Sequence, residues 1–301
     1  MNIKTIMMHL ELEQANAGLL ALATDLATRL GAALLIGIAG CQPIQLVYND
    51  TYATGDIMAA DREEIEAELK KVEQRFHETC KGKAKQLEWR SNVTCGPLAD
   101  YIASEARAAD LVVTAPDIGG SVFDHARQVR IADLVFQAGR PVLIVPKVCT
   151  HLDLDHVLIG WKETPECRRA VVGALPLLRL AGRVSVIAIA SEEEMALAAD
   201  RVKDVAQWLL RHGIKAEAEA VARKGEDVQN FFKLVQEKAP GLLVAGAYGY
   251  SRFREWALGG VTGDYLINPP CFFRIELDHA RRYCHSAFVS PQADHHVQRG
   301  L

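Results

Sequence analysis

The feature that most constrains this chain of 301 residues is a diverged internal repeat, in which apolar strand patterns alternate with helical patterns. Three pairs of segments correspond: 3–9 with 155–161, 33–38 with 184–189, and 110–114 with 241–245. The apolar segments are continuous, which is typical of strands that are covered by helices on both faces. Together these patterns predict two α/β units with parallel sheets, each of about 150 residues.

Each half is predicted to run β-α-β-α-β-α-β-α-β. In the first half, helices are predicted over 13–30, 59–80, 97–108 and 130–137, with strands over 3–9, 33–38, 87–94, 111–114 and 141–146. In the second half, helices are predicted over 165–180, 192–212, 226–238 and 263–267, with strands over 155–161, 184–189, 215–222, 242–245 and 271–277. The predicted domains are 1–148 and 153–277, followed by a polar tail, 278–301, with little periodicity.

The third pair of corresponding segments lies closer together along the chain than the first two. The first half must therefore carry extra residues between its second and third strands. Residues 41–62, rich in turn formers and uneven in pattern, are predicted to be a long loop. A lid or a partner contact is the alternative interpretation of this insertion.

Composition excludes several classes of partner. A net charge of −4 gives no electrostatic footprint for nucleic acid or for an anionic membrane. The most apolar window, 19–40, is interrupted by Thr24, Asp25 and Arg29, so no membrane span is expected. Seven cysteines without a CxxC pair and the absence of a secretory signal favour a reduced, cytoplasmic protein.

A glycine-spaced segment, residues 246–262, follows the apolar strand pattern at 242–245. Gly246, Gly249 and Gly259 give the spacing G-x2-G-x9-G, in which the backbone can approach a ligand closely. Gly259 and Gly260 open a helical pattern, and the free N–H groups at a helix start favour phosphate. This spacing resembles the ATP-binding signature of the universal stress protein family.

That resemblance covers about residues 1–277 and implies a tandem protein. Each half would be a flavodoxin-like domain, with a five-stranded parallel sheet of order 3-2-1-4-5 and ligands at the ends of its first and fourth strands. The implied ligand is ATP, or AMP or ADP, with or without Mg²⁺. The two halves are expected to pair through their last strands as a pseudo-dimer, since an uncovered apolar edge strand is a liability. Homodimers and protein partners of unknown identity are also expected.

The resemblance places triphosphate contacts in the second half. Gly246, Gly249, Gly259 and Gly260 match the family's contact positions, although the last is usually Ser or Thr. Thr262 lies two residues later and could supply the missing hydroxyl. Arg252, inside the segment, is interpreted either as a phosphate ligand or as an exposed arginine.

Two further positions come from the strands of the second half. Lys162 takes the place of an Asp that the family commonly uses, and is either a phosphate-binding charge or a solvated lysine. Ile189 resembles the apolar residue that packs near adenine, although any core strand could carry it.

The first half has lost the signature. Pro116 lacks a backbone donor and Asp117 would repel phosphate, so no ATP is expected there. Leu10 falls at the family's Asp position, with Glu11 next to it. The chain is therefore predicted to bind one ATP, through its second half.

The predicted function is that of a nucleotide-binding stress regulator, which acts through ligand-dependent conformation and protein contacts. The alternative is a nucleotide-independent scaffold. No nucleophile motif, HExxH or GxxxxGK[ST] occurs, and the histidines near the end lack metal-ligand spacing. No catalytic or metal-binding residue is predicted, and ATP hydrolysis would be weak at most.

Overall fold

The structure is a computed structural model that describes residues 2–12, 14, 16–43, 51–116, 128–223, 227–246 and 271–275. The strands are β1 (Thr5–His9), β2 (Leu34–Cys41), β3 (Gln86–Val93), β4 (Leu111–Thr114), β5 (Val142–Ile144), β6 (His156–Gly160), β7 (Arg183–Ala190), β8 (Ala216–Ala222), β9 (Leu242–Gly246) and β10 (Cys271–Ile275). The helices are α1 (Ala17–Leu30), α2 (Thr51–Cys80), α3 (Leu98–Glu105), α4 (Ile131–Ala138), α5 (Pro165–Leu178), α6 (Met195–Arg211) and α7 (Asp227–Lys238).

All these strands form one sheet of order β3-β2-β1-β4-β5-β10-β9-β6-β7-β8. The first five are mutually parallel, and their order is the predicted 3-2-1-4-5. The five strands from β6 to β10 are also mutually parallel and repeat that order. The predicted α/β fold is therefore confirmed.

The two sets of strands meet at an antiparallel pair, β5 with β10. Phe272 lies opposite Ile144, Phe273 opposite Leu143, and Arg274 opposite Val142. The predicted pairing of the last strands is thus confirmed. Because β10 fills the position between β5 and β9, neither of those apolar strands is an edge.

Both faces of the sheet are covered, as the continuous apolar strands predict. Along β1, Ile6 and Met8 belong to one core with α1 and α5, whereas Met7 belongs to a second core with α3, α4 and α7. None of the described helices is long and apolar enough to cross a bilayer.

The prediction of a long loop over residues 41–62 is wrong for its second part. Helix α2 begins at Thr51, and only residues 44–50 of this stretch lie outside the described structure. Residues 55–60 are exposed, and packing begins further on, with Ile65, Leu69 and Phe76. A helical extension without a buried face has no apolar periodicity, and Gly55 adds a misleading turn signal.

Several predicted boundaries also shift. Helix α1 starts at Ala17 rather than at residue 13, because the Asn16 amide donates to the Glu11 carbonyl and accepts from its N–H, which closes a turn. The stretch before α6 is a short 3₁₀ turn, Glu192–Glu194. The predicted helix over 263–267 and the end of the last predicted strand lie outside the described residues.

A chain that ends at residue 150 should self-associate, because it retains β5 but lacks β10. The buried strand Val142–Ile144 would then become an apolar edge with unpaired backbone groups. Light scattering over a concentration series measures this, with the full-length chain as control. A strictly monomeric fragment would contradict the covering role of β10.

Candidate functional site

The strand order reverses at β6, which places a crevice at its carboxyl end. Chain connections lead from β6 through α5 to β7 on one side, while β9 flanks β6 on the other. Gly160 of β6 lies opposite Ala245 of β9. The turn after β6 and the glycine-spaced segment after β9 therefore begin side by side, at the position where open α/β sheets bind ligands.

The turn from β6 into α5 is fixed by local hydrogen bonds. The Thr164 hydroxyl caps α5 by accepting from the Cys167 amide at 3.3 Å, and Pro165 occupies the first helical turn. The Lys162 amide contacts the Cys167 sulfur at 3.4 Å, while the Lys162 side chain is exposed. Burial raises the pKa of Cys167 to about 11, so this thiol is neutral.

Gly246 ends β9 and packs against the start of α5. A Cβ at this position would lie 2.6 Å from the Cys167 amide nitrogen and 2.9 Å from the Glu166 carbonyl carbon. The close approach of strand and helix backbones therefore requires glycine here. The role of Gly246 as a phosphate contact stays a prediction beside this structural one.

Ile189 lies on the same edge of the sheet. Ile187, two residues earlier on β7, pairs with Gly160 at the end of β6, so Ile189 lies two residues beyond that end. The structure thus brings Lys162, Ile189 and Gly246 to one edge. The other predicted site residues, Gly249, Arg252, Gly259, Gly260 and Thr262, lie outside the described residues.

A groove that was not predicted from the sequence opens between α5 and α6, beside the same turn. Its volume is about 700 Å³, and its walls combine indoles and valines with arginines and carboxylates. The buried Trp161 Nε1 has no hydrogen-bond partner among the described residues. Trp161 directly after a strand, together with Trp208 on α6, is the signal that could have indicated this groove.

The corresponding position in the first half is filled by side chains. His9 ends β1, and its Nδ1 lies 2.9 Å from the Thr114 hydroxyl at the end of β4, with both residues buried. Burial lowers the pKa of His9 to about 4, so the ring is neutral at pH 7. A cavity lined by residues that follow these two strands, among them Glu11 and Ala115, has a volume of about 20 Å³.

Strand register corrects the alignment of the two halves by one residue. Ile6 pairs with Leu111, and Val157 pairs with Leu242, which makes Ile6 the counterpart of Val157. Glu11, rather than Leu10, therefore corresponds to Lys162. Burial raises the pKa of Glu11, while nearby Lys147 opposes that shift.

The corrected register exposes the main difference between the halves. Gly160 and Ala245 take the positions of His9 and Thr114, so the second half has no large side chain at the end of either strand. The crevice is closed in the first half by a buried hydrogen bond and lined by small residues in the second.

Metal ligands are not grouped in the part of the chain that the structure describes. No set of three or more His, Cys, Asp or Glu residues there could hold a metal ion.

No protein-family model matches the chain, and no curated protein matches it significantly. Among solved structures, it is similar to a universal stress protein from Archaeoglobus fulgidus DSM 4304, with a TM-score of 0.63 and 15% identity over 90% of this chain and 96% of that one. A functionally unknown protein from Pseudomonas aeruginosa PAO1 aligns with a TM-score of 0.51 and 15% identity, over 91% and 92% of the two chains. A candidate universal stress protein from P. aeruginosa UCBPP-PA14 aligns with a TM-score of 0.51 and 16% identity, over 91% of this chain and 93% of that one. At these identities, the likeness establishes a shared fold.

Replacing Gly246 by alanine should destabilise the protein by about 1–3 kcal/mol, because the methyl group would displace the backbone of α5. Gly55→Ala is the matched control. It lies in an exposed helical turn with nothing within 4 Å of an added Cβ, and should stabilise by about 0.5–1 kcal/mol. Urea unfolding measures both variants. A Gly246→Ala protein as stable as the wild type would contradict the packing role.

The buried His9 should make stability fall between pH 6.5 and pH 4. Its pKa is about 4 when folded and 6.5 when unfolded, so below pH 6.5 only the unfolded chain takes up the proton. The contribution of His9 to the free energy of unfolding is fully present above pH 6.5, and about 2 kcal/mol of it is lost by pH 5. Burial lowers the pKa of His156 too, which adds in the same direction. Urea unfolding across this range should show a shallower pH dependence for His9→Gln, and an identical dependence would contradict this account.

Proposed function

We propose that the chain is a cytoplasmic tandem universal stress protein, whose second half binds one adenine nucleotide at the ends of β6 and β9. The observation that carries this proposal is the pair Gly160 and Ala245, which stands where the first half has the hydrogen-bonded pair His9 and Thr114. A nucleotide needs open space next to backbone donors, and only small residues at both strand ends leave that space.

The glycine-spaced segment begins at this place. Gly246 is the last residue of β9, so the predicted phosphate contacts at Gly249, Gly259 and Gly260 follow from the same sheet edge. The N-terminus of α5 is a poor alternative phosphate site, because Thr164 already caps it and Glu166 lies in its first turn. Phosphate is therefore assigned to the amides of the glycine-spaced segment.

Lys162 supplies charge on the opposite wall of the crevice. Its exposed side chain leaves the turn one residue after the buried Trp161. A lysine there favours the phosphates of ATP or ADP more strongly than those of AMP, because the attraction grows with ligand charge. Mg²⁺ would bind through the phosphates rather than through this wall. Ile189, partly buried at the same edge, would contact the adenine.

Binding would act as a switch without chemistry. A ligand that contacts both the turn after β6 and the glycine-spaced segment favours conformations in which the two are close. The surface beside them then differs between the bound and free states, and so does its affinity for a protein partner. The resemblance to stress proteins supports this regulatory role, as does the absence of a predicted catalytic pair.

A nucleotide-independent scaffold is the second candidate function. Helix α2 favours it, because its first turns carry Ile57 and Met58 with 50% and 44% of their surfaces exposed. Exposed apolar residues on a helix surface are typical of a protein contact. Gly260 and Lys162, which depart from the family pattern, fit this alternative as well.

Calorimetry with ATP and the full-length chain, with and without Mg²⁺, should give one site per chain. Gly259→Val should abolish the binding heat, because its side chain fills the space beside the phosphates. Gly119→Val, in the corresponding stretch of the first half, is the matched control and should bind like the wild type. Gly246→Val is not diagnostic, since it also disturbs α5.

Two equal sites, or unchanged binding by Gly259→Val, would overturn the assignment to the second half. Absence of binding heat, together with no nucleotide in mass spectra of ligand released from the purified protein, would favour the scaffold instead.

A further inference from the structure

Two cysteines meet at the junction between the halves. Cys149 follows β5 in a tight turn, and its amide donates to the Pro146 carbonyl at 2.9 Å. Cys271 is the first residue of β10, and its amide donates to the Gly241 carbonyl at 3.0 Å. Because β10 runs antiparallel to β5, its first residue lies beside the end of β5. The Cys149 and Cys271 side chains are close enough that each shifts the pKa of the other.

The environments of the two thiols differ in a way that assigns them separate roles. Cys271 is 2% exposed, and a hydrogen bond to Cys149, burial, and the charges of Cys149 and Asp153 raise its pKa, so it remains a protonated donor. Cys149 is half-buried, and accepting that hydrogen bond lowers its pKa to about 7. At neutral pH, Cys149 therefore has a large thiolate fraction and is open to solvent.

Most of the other described cysteines do not combine solvent exposure with a lowered pKa. Burial raises the pKa of Cys80 to about 12 and that of Cys167 to about 11, and Cys41 is buried as well. Cys95 is exposed, which makes it a useful control.

We infer that Cys149 and Cys271 form a thiol–disulfide exchange site, in which Cys149 attacks a small-molecule disulfide and Cys271 resolves the product. In the first step, the Cys149 thiolate bonds to one sulfur of the disulfide, whose S–S bond breaks and releases a thiolate that takes a proton from solvent. In the second step, the small thiolate released earlier, or a base from solvent, removes the Cys271 proton. The Cys271 sulfur then bonds to the Cys149 sulfur and displaces the second small thiol from it. The protein loses two hydrogens, and one small disulfide is reduced to two thiols.

The product would lock the junction between the halves. Non-covalently, that junction rests on the register pairs of Phe272, Phe273 and Arg274 with β5. The turn that carries Cys149 is held against α1, since the Cys149 carbonyl oxygen is 2.8 Å from where a Cβ of Gly18 would lie. A disulfide would join this anchored turn to β10 and close the long segment between them, which resists unfolding. The site lies at the amino end of β10, away from the Gly246 crevice.

The test uses the full-length chain and oxidised glutathione under native conditions. After quenching by alkylation, peptide mapping should find Cys149 joined to Cys271, preceded by transient glutathione on Cys149. The urea midpoint should rise on oxidation and return after treatment with dithiothreitol. Cys95→Ser, the matched control, should form the same cross-link.

The single variants separate the two roles. Cys271→Ser should stop at a persistent mixed disulfide on Cys149, with no rise in the urea midpoint. Cys149→Ser should leave Cys271 unmodified, because that thiol is buried. Three results with the wild-type protein would each overturn the inference. They are a mixed disulfide on Cys149 that never resolves, a cross-link from Cys149 to a cysteine other than Cys271, and a Cys149 that does not react.

Discussion

The antiparallel pair between β5 and β10 is the interaction on which the rest of the structure depends. Each of these strands is short, and β10 supplies backbone partners to β5 on one side and to β9 on the other. Without β10, the apolar strands at the middle of the sheet would become edges. Because this pair is antiparallel, the strands of the two halves run in opposite directions. The carboxyl ends of β1–β5 and those of β6–β10 therefore lie on opposite sides of the sheet along the strand direction, called here its two edges.

This geometry separates the two crevices and lets each half specialise. At one edge, His9 and Thr114 close the first crevice with a buried hydrogen bond, which contributes about 1 kcal/mol of net stability and fills the space. At the other edge, Gly160 and Ala245 take the same positions, and neither carries a side chain that could form such a hydrogen bond. The thiol pair lies at the closed edge, so oxidation and nucleotide binding would act on different edges of the sheet.

The alternation of strands and helices could be predicted from the sequence, because continuous apolar segments and their repetition depend on burial, whereas the strand order was implied by the resemblance to universal stress proteins. The start of α2 could not be predicted, since residues 55–60 are exposed and therefore form no buried apolar face. Register was off by one residue at Leu10 and Glu11, because pairing decides it and composition does not. Gly246 had two physical explanations, of which only the ligand contact was visible in the sequence; the packing against α5 needs coordinates. The groove beside Trp161 depends on the spacing of two helices, for which Trp161 and Trp208 are only an indirect signal in the sequence.

The outer strands determine how two copies of the chain could associate. Strand β8 carries Glu217 and Glu219, and β3 carries Glu88 and Arg90, so both exposed edges present charged side chains. Charged edges disfavour strand-to-strand association, because pairing would desolvate the charges, and pairing of two β8 strands would also bring like charges together. Closing the sheet at its centre while charging its outer strands favours helix surfaces over strand edges for self-association. The exposed residues 55–60 of α2, with Ile57 and Met58, are one such surface available to a partner.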